Sequence, residues 1–425
     1  MRLMPFWKVL GFCFASASLV TAGDWPAFRG PNGDGTTDEK GLPIEWGPEQ
    51  NIKWKTALPA PANSSPIVSN GRVFVTLAEE RGHKRHLLCF DRNDGKMLWV
   101  KTVPYGKVAD THQTNPYCGS TPATDGERVV VWHGSAGMYC YDFDGEVLWS
   151  QQMGEFHHIW GYGSSPILHG DKVIQLCGPG VRTKLVAFRL SDGYILWETP
   201  EPGSTDSEAG RYKSTWSTPV VIDVNGQSQL LVAMPTRVVA YDPETGEVIW
   251  FVEGLSNERS DVSYTNPLVG DGIGAMLGGY GGPAIGFRLG GSGDMTGQNR
   301  LWRQAPESPR NPQRIGSGIV IGNHVFHANA DAPGTIECFD LKTGEFRWTE
   351  PRREDGPHWG SMVHAVGRLY VTGQKGLTTV FAPNPDKFEL LAENDLGERT
   401  NSTPAISDGE ILLRTFEHLY CIAKE

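Results

Sequence analysis

The chain carries at residues 240–250 the stretch Ala240-Tyr241-Asp242-Pro243-Glu244-Thr245-Gly246-Glu247-Val248-Ile249-Trp250, and eroded copies of it recur along the sequence. Two clear copies run from Cys89 to Trp99 and from Cys338 to Trp348. Each copy predicts a short apolar strand, a tight turn that begins at Asp and closes at Gly, and a second strand that ends on Trp. The stretch is therefore one unit of a repeated antiparallel strand pair.

A second motif precedes each copy and consists of a small polar residue, usually followed by Pro, and then a β-rich run. The eight polar residues of this motif are Ser65, Thr121, Ser165, Thr218, Asn266, Ser317, Ser361 and Thr403. Successive motifs lie 42 to 56 residues apart. This period, with four short strands in each repeat, predicts an all-β fold: an eight-bladed β-propeller of four-stranded antiparallel blades.

The eighth repeat has three predicted strands, the last ending near Cys421, and lacks the outer strand. Residues 51–55 look like an outer strand with no strands before it. We therefore predict that this N-terminal strand completes the last blade and closes the ring, which leaves no open end. The predicted organisation is a strap at residues 23–50 followed by a single propeller at residues 51–425.

Residues 1–22 differ from everything after them. Arg2 and Lys8 lie at the start, residues 9–20 are apolar or small, and Val20-Thr21-Ala22 suits a signal peptidase. This pattern predicts a secretory signal peptide that is cleaved near Ala22, so that the mature protein is periplasmic or extracellular. An uncleaved signal anchor is the alternative.

The charge of the chain limits its partners. The formal net charge is −11, and removal of Arg2 and Lys8 with the signal peptide makes it −13. No basic cluster is left on a predicted element, which argues against nucleic acid and acidic membrane surfaces as partners. We expect a monomer without a transmembrane span.

Four of the six cysteines after residue 22 occupy one position of the repeat, where two other repeats carry Ala187 and Ala240. These four are Cys89, Cys140, Cys338 and Cys421. Equivalent positions of different blades lie too far apart for a disulfide, so we interpret them as small buried apolar residues. Cys118 and Cys177 fall outside this register, and a bridge between them is a minor alternative.

The candidate site follows from the topology of a propeller. The loops from strand D to the next strand A, and from strand B to strand C, share one face around the central channel. In this sequence those loops collect aromatic and ionisable side chains, whereas the opposite turns carry mainly Asp, Asn and Gly. The predicted ligand-binding residues at this mouth are His112, Asn115, Tyr117, His133, His157, His158, Trp160, Tyr162, Trp216, Arg237, Asn266, Arg310, Arg314, Asp331, His358, Trp359 and Asn401.

Three interpretations of the mouth remain open. In the first, Trp160, Trp216 and Trp359 stack on a sugar, a quinone or a peptide while Arg and Asn side chains donate hydrogen bonds. In the second, histidines bind a metal ion, but no tight ligand spacing supports this, and we predict no metal site. In the third, large side chains only fill the loops over the channel.

Two further features have simpler interpretations. Arg310 and Arg314, with Arg237, would suit an acidic ligand, although ordinary ion pairing in an acidic protein explains them as well. The fifth repeat contains an insertion around residues 290–297, which we predict to be a long turn.

The consensus Ala/Cys–aromatic–Asp-x-x-Thr/Asp-Gly-x-x-x-Trp resembles the repeat of the pyrroloquinoline quinone (PQQ) propeller family, over roughly residues 46–425. That family includes quinoprotein alcohol and sugar dehydrogenases, and also BamB of the outer-membrane barrel-assembly machinery, which binds no cofactor. The segments 24–31 and 157–163 look like those of exported PQQ-like propellers. The resemblance implies the propeller fold and two contrasting kinds of function.

We therefore predict an exported cell-envelope propeller that acts as a scaffold and binds an envelope protein, a small molecule or a saccharide through its aromatic, His- and Arg-rich face. The alternative is a PQQ-dependent oxidoreductase of alcohols or sugars. Such enzymes typically carry two adjacent cysteines beside the quinone, and no two cysteines of this sequence are adjacent. PQQ with calcium is for that reason not favoured, and the cofactor and any catalytic residues are left unassigned.

Overall fold

The fold is that of an eight-bladed propeller, as predicted. The computed structural model describes residues 23–206, 212–258, 260–305, 313–330, 334–351 and 357–424. Eight antiparallel sheets of four main strands surround a central channel. The predicted signal peptide with its cleavage site, and the predicted site residues Arg310 and Asp331, lie outside the described residues.

Each of the first four blades is built from consecutive strands A to D, of which A is innermost. Blade 1 has Ile67–Ser69, Arg72–Glu79, Lys84–Asp91 and Met97–Pro104. Blade 2 has Ala123–Thr124, Arg128–Trp132, Met138–Asp142 and Val147–Gln151. Blade 3 has Ile167–His169, Lys172–Cys177, Lys184–Arg189 and Ile195–Pro200. Blade 4 has Val220–Val224, Gln227–Ala233, Arg237–Tyr241 and Val248–Glu253.

Blades 5 to 8 repeat the order, and the last takes its strand D from the N-terminus. Blade 5 has Leu268–Gly270, Ile273–Leu277, Ala284–Arg288 and Arg300–Gln304. Blade 6 has Ile319–Ile321, His324–Ala328, Thr335–Asp340 and Phe346–Pro351. Blade 7 has Val363–Ala365, Arg368–Thr372, Leu377–Ala382 and Glu389–Asp395. Blade 8 has Ala405–Ser407, Glu410–Arg414, His418–Ile422 and Ile52–Ala57.

The short elements outside the blades lie at loops and edges. Two 3₁₀ turns, Glu80–Gly82 and Gly134–Ala136, connect strands B and C of blades 1 and 2. Lys213–Thr215 and Asp261–Ser263 form a two-stranded parallel sheet before blades 4 and 5. Within the described residues, no helix has the length and apolar character that a membrane crossing needs.

The recurring Asp–Gly–Trp pattern has a clear packing reason. The Trp of strand D pairs across the sheet with the small residue of strand C, for example Trp99 with Cys89. Its indole then donates a hydrogen bond to the turn of the next blade, and its ring covers the glycine of that turn, as Trp197 does at Pro243 and Gly246. The repeated Trp is thus a wedge between neighbouring blades. The six described cysteines are all buried and unpaired, so Cys118 and Cys177 form no bridge.

The ring closes through the predicted N-terminal strand. Ile52–Ala57 pairs antiparallel with strand C of blade 8, and Trp54 takes the same wedge position opposite Cys421. The Trp54 indole donates to the carbonyl of Arg92 in blade 1 at 2.8 Å. Blade 8 is therefore joined to blade 1 by the same contact that joins most other blades.

The strap, residues 23–50, crosses the end of the channel opposite the mouth. Trp25 exchanges backbone hydrogen bonds with Val68 at 2.9 Å at the end of strand A of blade 1. Pro26 then accepts a hydrogen bond from the Thr124 N–H of blade 2 at 2.9 Å. Arg29 donates to backbone carbonyls of blade 6, on the opposite side of the channel, and Thr36–Thr37 pairs in parallel with strand A of blade 7. Between these anchors the strap passes beneath the channel, and Phe28 and Arg29 lie on this crossing.

The insertion of the fifth repeat is more than the long turn that we predicted. Gly293–Asp294 pairs in parallel with the outer strand of blade 4, and the helical turn Thr296–Asn299 follows it. An exposed outer strand offers unpaired backbone groups to other chains. The insertion covers part of that edge.

The closing strand is also held by a charged network around Glu398. Burial alone would raise the pKa of this carboxyl, but hydrogen bonds from Lys55, Thr415, Tyr420 and His418 outweigh burial and lower the pKa from 4.5 to about 2. A lowered folded-state pKa stabilises the fold above the unfolded-state pKa, and this contribution disappears as the pH falls through the folded-state value.

We expect Glu398→Gln to lower the urea midpoint of unfolding at pH 7, and expect the difference from the wild type to shrink steadily between pH 4.5 and pH 2. Urea titrations of both proteins across this range test the prediction. Glu345→Gln, at an exposed position in the turn of blade 6, is the matched control. A difference between wild type and Glu398→Gln that stays constant with pH would contradict the assignment.

Candidate functional site

The polar residues of the second motif form a closed ring around the channel. In each blade the backbone N–H of the motif residue donates to the side-chain oxygen of the motif residue in the next blade, as Ser65 does to Thr121 at 2.9 Å. The series continues through all eight blades and returns from Thr403 to Ser65 at 2.9 Å. We call this the motif ring. It explains why every repeat needs a small side chain with an acceptor oxygen at this point.

A cavity of about 490 Å³ lies on the mouth side of the motif ring. Six of the eight ring residues line it. The lining consists of Phe28, Asn63, Ser65, His112, Thr114, Asn115, Gly119, Trp160, Gly163, Trp216, Thr218, Tyr264, Asn266, Tyr280, Gln313, Ile315, Ser317, Trp359, Ser361, Asn401 and Thr403. This volume suits a small ligand rather than a folded partner.

One side of the cavity is an aromatic wall made of Trp160, Trp216, Tyr264 and Tyr280. The Trp160 ring centroid lies 5.7, 6.1 and 5.9 Å from those of Trp216, Tyr264 and Tyr280. The Trp216 indole donates to the carbonyl of Gly161 at 2.7 Å, which fixes its orientation. Side chains held in this way offer preformed faces on which a flat ligand can stack.

His158 supports the aromatic wall from behind. Its ring lies edge-on to Trp216 at 4.7 Å, and its Nδ1 accepts a hydrogen bond from the Trp160 backbone N–H at 3.3 Å. Burial lowers the pKa of His158 to about 4, with a smaller opposing effect of Asp206. The imidazole is therefore neutral at pH 7 and acts as a packing group.

The other side of the cavity is an amide wall made of Asn63, Asn115 and Asn401. Asn401 donates to Asn63 Oδ1 at 3.0 Å, and Asn63 donates to Asn115 Oδ1 at 3.1 Å. Asn115 then donates to the backbone carbonyl of Trp160 at 2.7 Å. Loops of several blades are thus tied together by side-chain amides, and the last of these bonds positions the aromatic wall.

Seven of the predicted site residues line the cavity: His112, Asn115, Trp160, Trp216, Asn266, Trp359 and Asn401. Three others lie under the loops. Tyr117 packs against Gly82, Tyr162 lies buried with its hydroxyl 3.5 Å from the Cys118 sulfur, and His358 is buried outside the lining. These three have a packing position rather than a position at the cavity.

The four histidines of the predicted mouth considered for a metal site, His112, His133, His157 and His158, form no group of candidate ligands among the described residues. His133 is buried, with its pKa lowered to about 3 by burial and the nearby Arg85, whereas His157 is exposed and lies 3.6 Å from Glu155. Among the described residues, Glu398, Glu417 and His418 are the one group whose ligand atoms come within 4.8 Å of one another. That group lies at the edge of blade 8, and Lys55 already binds Glu398 there at 2.8 Å.

The proposed arginine clamp is not formed by the residues that the structure describes. Arg237 makes a two-pronged contact with the buried Glu201, at 2.9 and 3.2 Å. Arg314 is buried and donates to the carbonyl of Gly282 at 3.0 Å. Both guanidinium groups hold neighbouring loops together, and neither lines the cavity.

Phe28 and Asn63 were not expected at the site. Phe28 lies on the strap, which carries no repeat and so gives no register from which to place it. The motif residues were recognised as a repeat, but spacing alone does not show that their side chains face the channel axis. Seven of the eight motif residues are Ser or Thr and the eighth is Asn, and this shared chemistry is the sequence signal that could have indicated the ring.

The described lining does not fit PQQ with calcium. It contains no Asp, Glu, Lys, Arg or Cys side chain. Calcium needs several oxygen ligands that usually include carboxylates, and the described lining supplies only amides, hydroxyls and carbonyls. It likewise offers no carboxylate base next to a bound alcohol. The geometry supports stacking and hydrogen bonding of a ligand rather than proton transfer by a carboxylate.

Comparison with known proteins gives a matching family and distant relatives. The family profile described as outer membrane protein assembly factor BamB matches residues 36–108, 80–232 and 111–350. The tetrathionate hydrolase of Acidithiobacillus ferrooxidans is 20% identical over 336 residues, which cover 77% of this chain and 53% of that protein. The chain thus spans about half the length of this curated relative.

Solved structures share the fold at low sequence identity. BamB from Moraxella catarrhalis is 14% identical, with a TM-score of 0.57 over 87% of this chain and 96% of that chain. The quinohemoprotein alcohol dehydrogenase from Comamonas testosteroni is 13% identical, with a TM-score of 0.66 over 94% and 80% of the two chains. Together with the repeat and the closed ring of eight blades, the profile match shows that the chain belongs to the BamB-like family of PQQ-repeat propellers.

Proposed function

We propose that this protein is an exported propeller of the cell envelope that binds a small ligand in the cavity above the motif ring and does not act on it chemically. The observation that carries the proposal is the cavity itself, with a preformed aromatic wall facing an amide wall. Concave sites with apolar faces and a few fixed polar groups are typical ligand sites. Membership of a family that includes BamB supports an envelope location.

The lack of carboxylates in the described lining supports binding over catalysis. General acid–base chemistry needs a titratable group within hydrogen-bond reach of the substrate. His112 is the one described histidine of the lining, and it lies exposed with its Nδ1 2.7 Å from Thr114 Oγ1. A scaffold that binds through stacking needs no such group.

We expect a flat ring ligand to change the fluorescence of Trp160 and Trp216 saturably, because both indoles line the cavity. Titration of the protein with 1-naphthamide and with methyl β-glucopyranoside separates a flat aromatic ligand from a saccharide. Trp160→Ala should weaken the binding of the effective probe by about two- to tenfold, since stacking on one aromatic face contributes ~0.5–1.5 kcal/mol. Melting temperature should rise with saturation.

His157→Ala is the matched control, because it alters the same loop at an exposed side chain outside the cavity. It should bind the probe as the wild type does. A parallel titration with PQQ and calcium tests the oxidoreductase alternative. Saturable, calcium-dependent quinone binding with a raised melting temperature would replace our proposal by that alternative, and equal probe binding by Trp160→Ala and wild type would move the ligand out of this cavity.

A further inference from the structure

The motif ring uses its side chains only as hydrogen-bond acceptors. Seven of its eight members carry a hydroxyl, and each hydroxyl accepts one backbone N–H from the preceding blade. The eighth, Asn266, accepts the Thr218 N–H through Oδ1 at 3.1 Å. A hydroxyl that accepts can still donate its own proton, and an amide has two donor hydrogens besides its oxygen.

The hydroxyl and amide hydrogens of the motif-ring residues that line the cavity donate to no described protein atom there. Ser65, Thr218, Ser317, Ser361 and Thr403 donate their hydroxyl protons to no acceptor among the described residues that line the channel. The same holds for the Asn266 amide hydrogens. The cavity floor therefore presents a circle of side-chain donor hydrogens that are available to a ligand.

A positive charge lies directly beside this floor. Arg29 of the strap is 1% exposed and donates to the backbone carbonyls of Ser317 and Gly318 at 3.2 and 2.7 Å. Burial lowers its pKa to about 10, with Asp34 acting in the opposite direction, so the guanidinium is charged at pH 7. Its Nε has no partner among the described atoms.

No described carboxylate neutralises Arg29 within the channel. The Asp34 carboxylate raises the pKa of Arg29, but this side chain is exposed and accepts hydrogen bonds from the backbone N–H and hydroxyl of Thr36 at 2.8 Å. An exposed carboxylate is screened by water, whereas a charge enclosed by protein acts over a longer distance. The cavity floor thus combines hydroxyl donors with a positive potential.

We infer that the ligand of this cavity is a flat ring that carries an oxyanion, with the ring on the aromatic wall and the oxyanion on the donor circle of the motif ring. The inference rests on the proposed function and names its ligand class. An ionised carboxylate or sulfonate accepts several hydrogen bonds and donates none, which matches the floor. A primary amide of the same shape has one carbonyl oxygen and no charge, so it gains less from the donors of the floor and from Arg29.

The test compares three probes of one shape: 1-naphthoate, 1-naphthalenesulfonate and the neutral 1-naphthamide. Binding to the full chain is measured by calorimetry at pH 8. At least one anion should bind tenfold or more tightly than the amide, because hydrogen bonds to a charged acceptor are about twice as strong as neutral ones. The two anions distinguish a planar from a tetrahedral oxyanion.

Three variants at two positions test the assigned residues through the ratio of anion to amide affinity, which a general loss of structure does not mimic. Arg29→Gln should lower this ratio about tenfold, and Arg29→Lys, which keeps the charge, should largely preserve it. Asn266→Asp keeps the acceptor oxygen of the ring but replaces the amide donors with negative charge, and should lower the ratio further. Arg303→Gln, an exposed arginine that also donates to backbone carbonyls, is the matched control.

The outcomes separate this inference from the function on which it rests. Equal binding of the anions and the amide would overturn the oxyanion assignment while leaving a ligand-binding cavity in place. An unchanged ratio in Arg29→Gln and Asn266→Asp would also overturn it. Failure of all three probes to bind, in calorimetry and in the fluorescence titration, would remove both proposals.

Discussion

Deletion of residues 23–57 is expected to abolish the soluble folded protein. The deletion removes the outer strand of blade 8, Ile52–Ala57, and the strap that crosses the channel. Strand C of blade 8, His418–Ile422, whose residues are mostly buried in the intact protein, would then become an exposed edge strand. Exposed edge strands pair with other chains. Expression of a chain that starts at Leu58, followed by size-exclusion chromatography and circular dichroism, should show aggregates.

We expect a large loss of stability from this deletion because the one short strand Ile52–Ala57 makes many contacts. The strand pairs along its whole length with blade 8, and Leu58 N–H continues the pairing to the Glu417 carbonyl at 2.7 Å. Lys53 adds an ion pair with Glu410 at 2.5 Å. Because Trp54 also contacts blade 1, both neighbours of the junction lose their packing at once.

A relocated strand separates ring closure from simple truncation. A chain that starts at Leu58 and carries residues 23–57 after its C-terminus, through a flexible linker, should regain a monomeric fold. The geometry favours this because Gly23 and Asn51 both contact blade 8: the Gly23 carbonyl accepts from the Ser407 hydroxyl, and the Asn51 carbonyl accepts from the Ala423 N–H at 2.9 Å. A well-folded monomer from the simple deletion would show that closure is dispensable.

The fold could be predicted from the sequence because three residues of the repeat are conserved together by one packing contact. Gly at the turn, Trp on the outer strand and a small residue on strand C are all needed for one contact, so they recur in register even where other positions drift. The bounds of the strands are harder to predict: the apolar pattern alone starts strand C of blade 1 at Leu87, whereas the strand begins at Lys84, directly after the 3₁₀ turn Glu80–Gly82. The edge-covering role of the insertion was also unreadable, since it depends on the neighbouring blade.

For the candidate site, the sequence predicted which loops surround the cavity but not which of their side chains line it. Trp160 and Trp216 point into the cavity, but the equally aromatic Tyr162 turns away beneath the loops, and spacing does not distinguish the two. Arg237 was predicted to face a ligand, but it binds Glu201, which lies 36 residues away in a different blade. Side-chain direction and contacts between blades are tertiary properties, and no local pattern encodes them.

Trp149→Ala is expected to lower the free energy of unfolding by ~3–5 kcal/mol, the range for removal of a buried Trp or Phe side chain. Trp149 is 6% exposed and stacks on Phe188 with ring centroids 6.2 Å apart. Its indole donates to the Leu190 carbonyl at 2.9 Å, so the substitution also leaves that backbone group without this partner. Urea denaturation of the purified variant measures the loss.

Its neighbour Leu148 is the matched control, because that side chain is 49% exposed in the same strand. Leu148→Ala should change stability by less than ~0.5 kcal/mol, as for most surface substitutions.

The contact between Trp149 and the facing blade can also be tested from Gly193: a Cβ at Gly193 would lie 2.5 Å from the Trp149 ring, and this glycine has a φ of +72°. Gly193→Ala should therefore destabilise the fold as well, and because both substitutions disrupt one contact, the double variant should lose less than the sum of the two single losses. Fully additive losses would mean that Trp149 and Gly193 act independently and that the wedge does not couple blades 2 and 3.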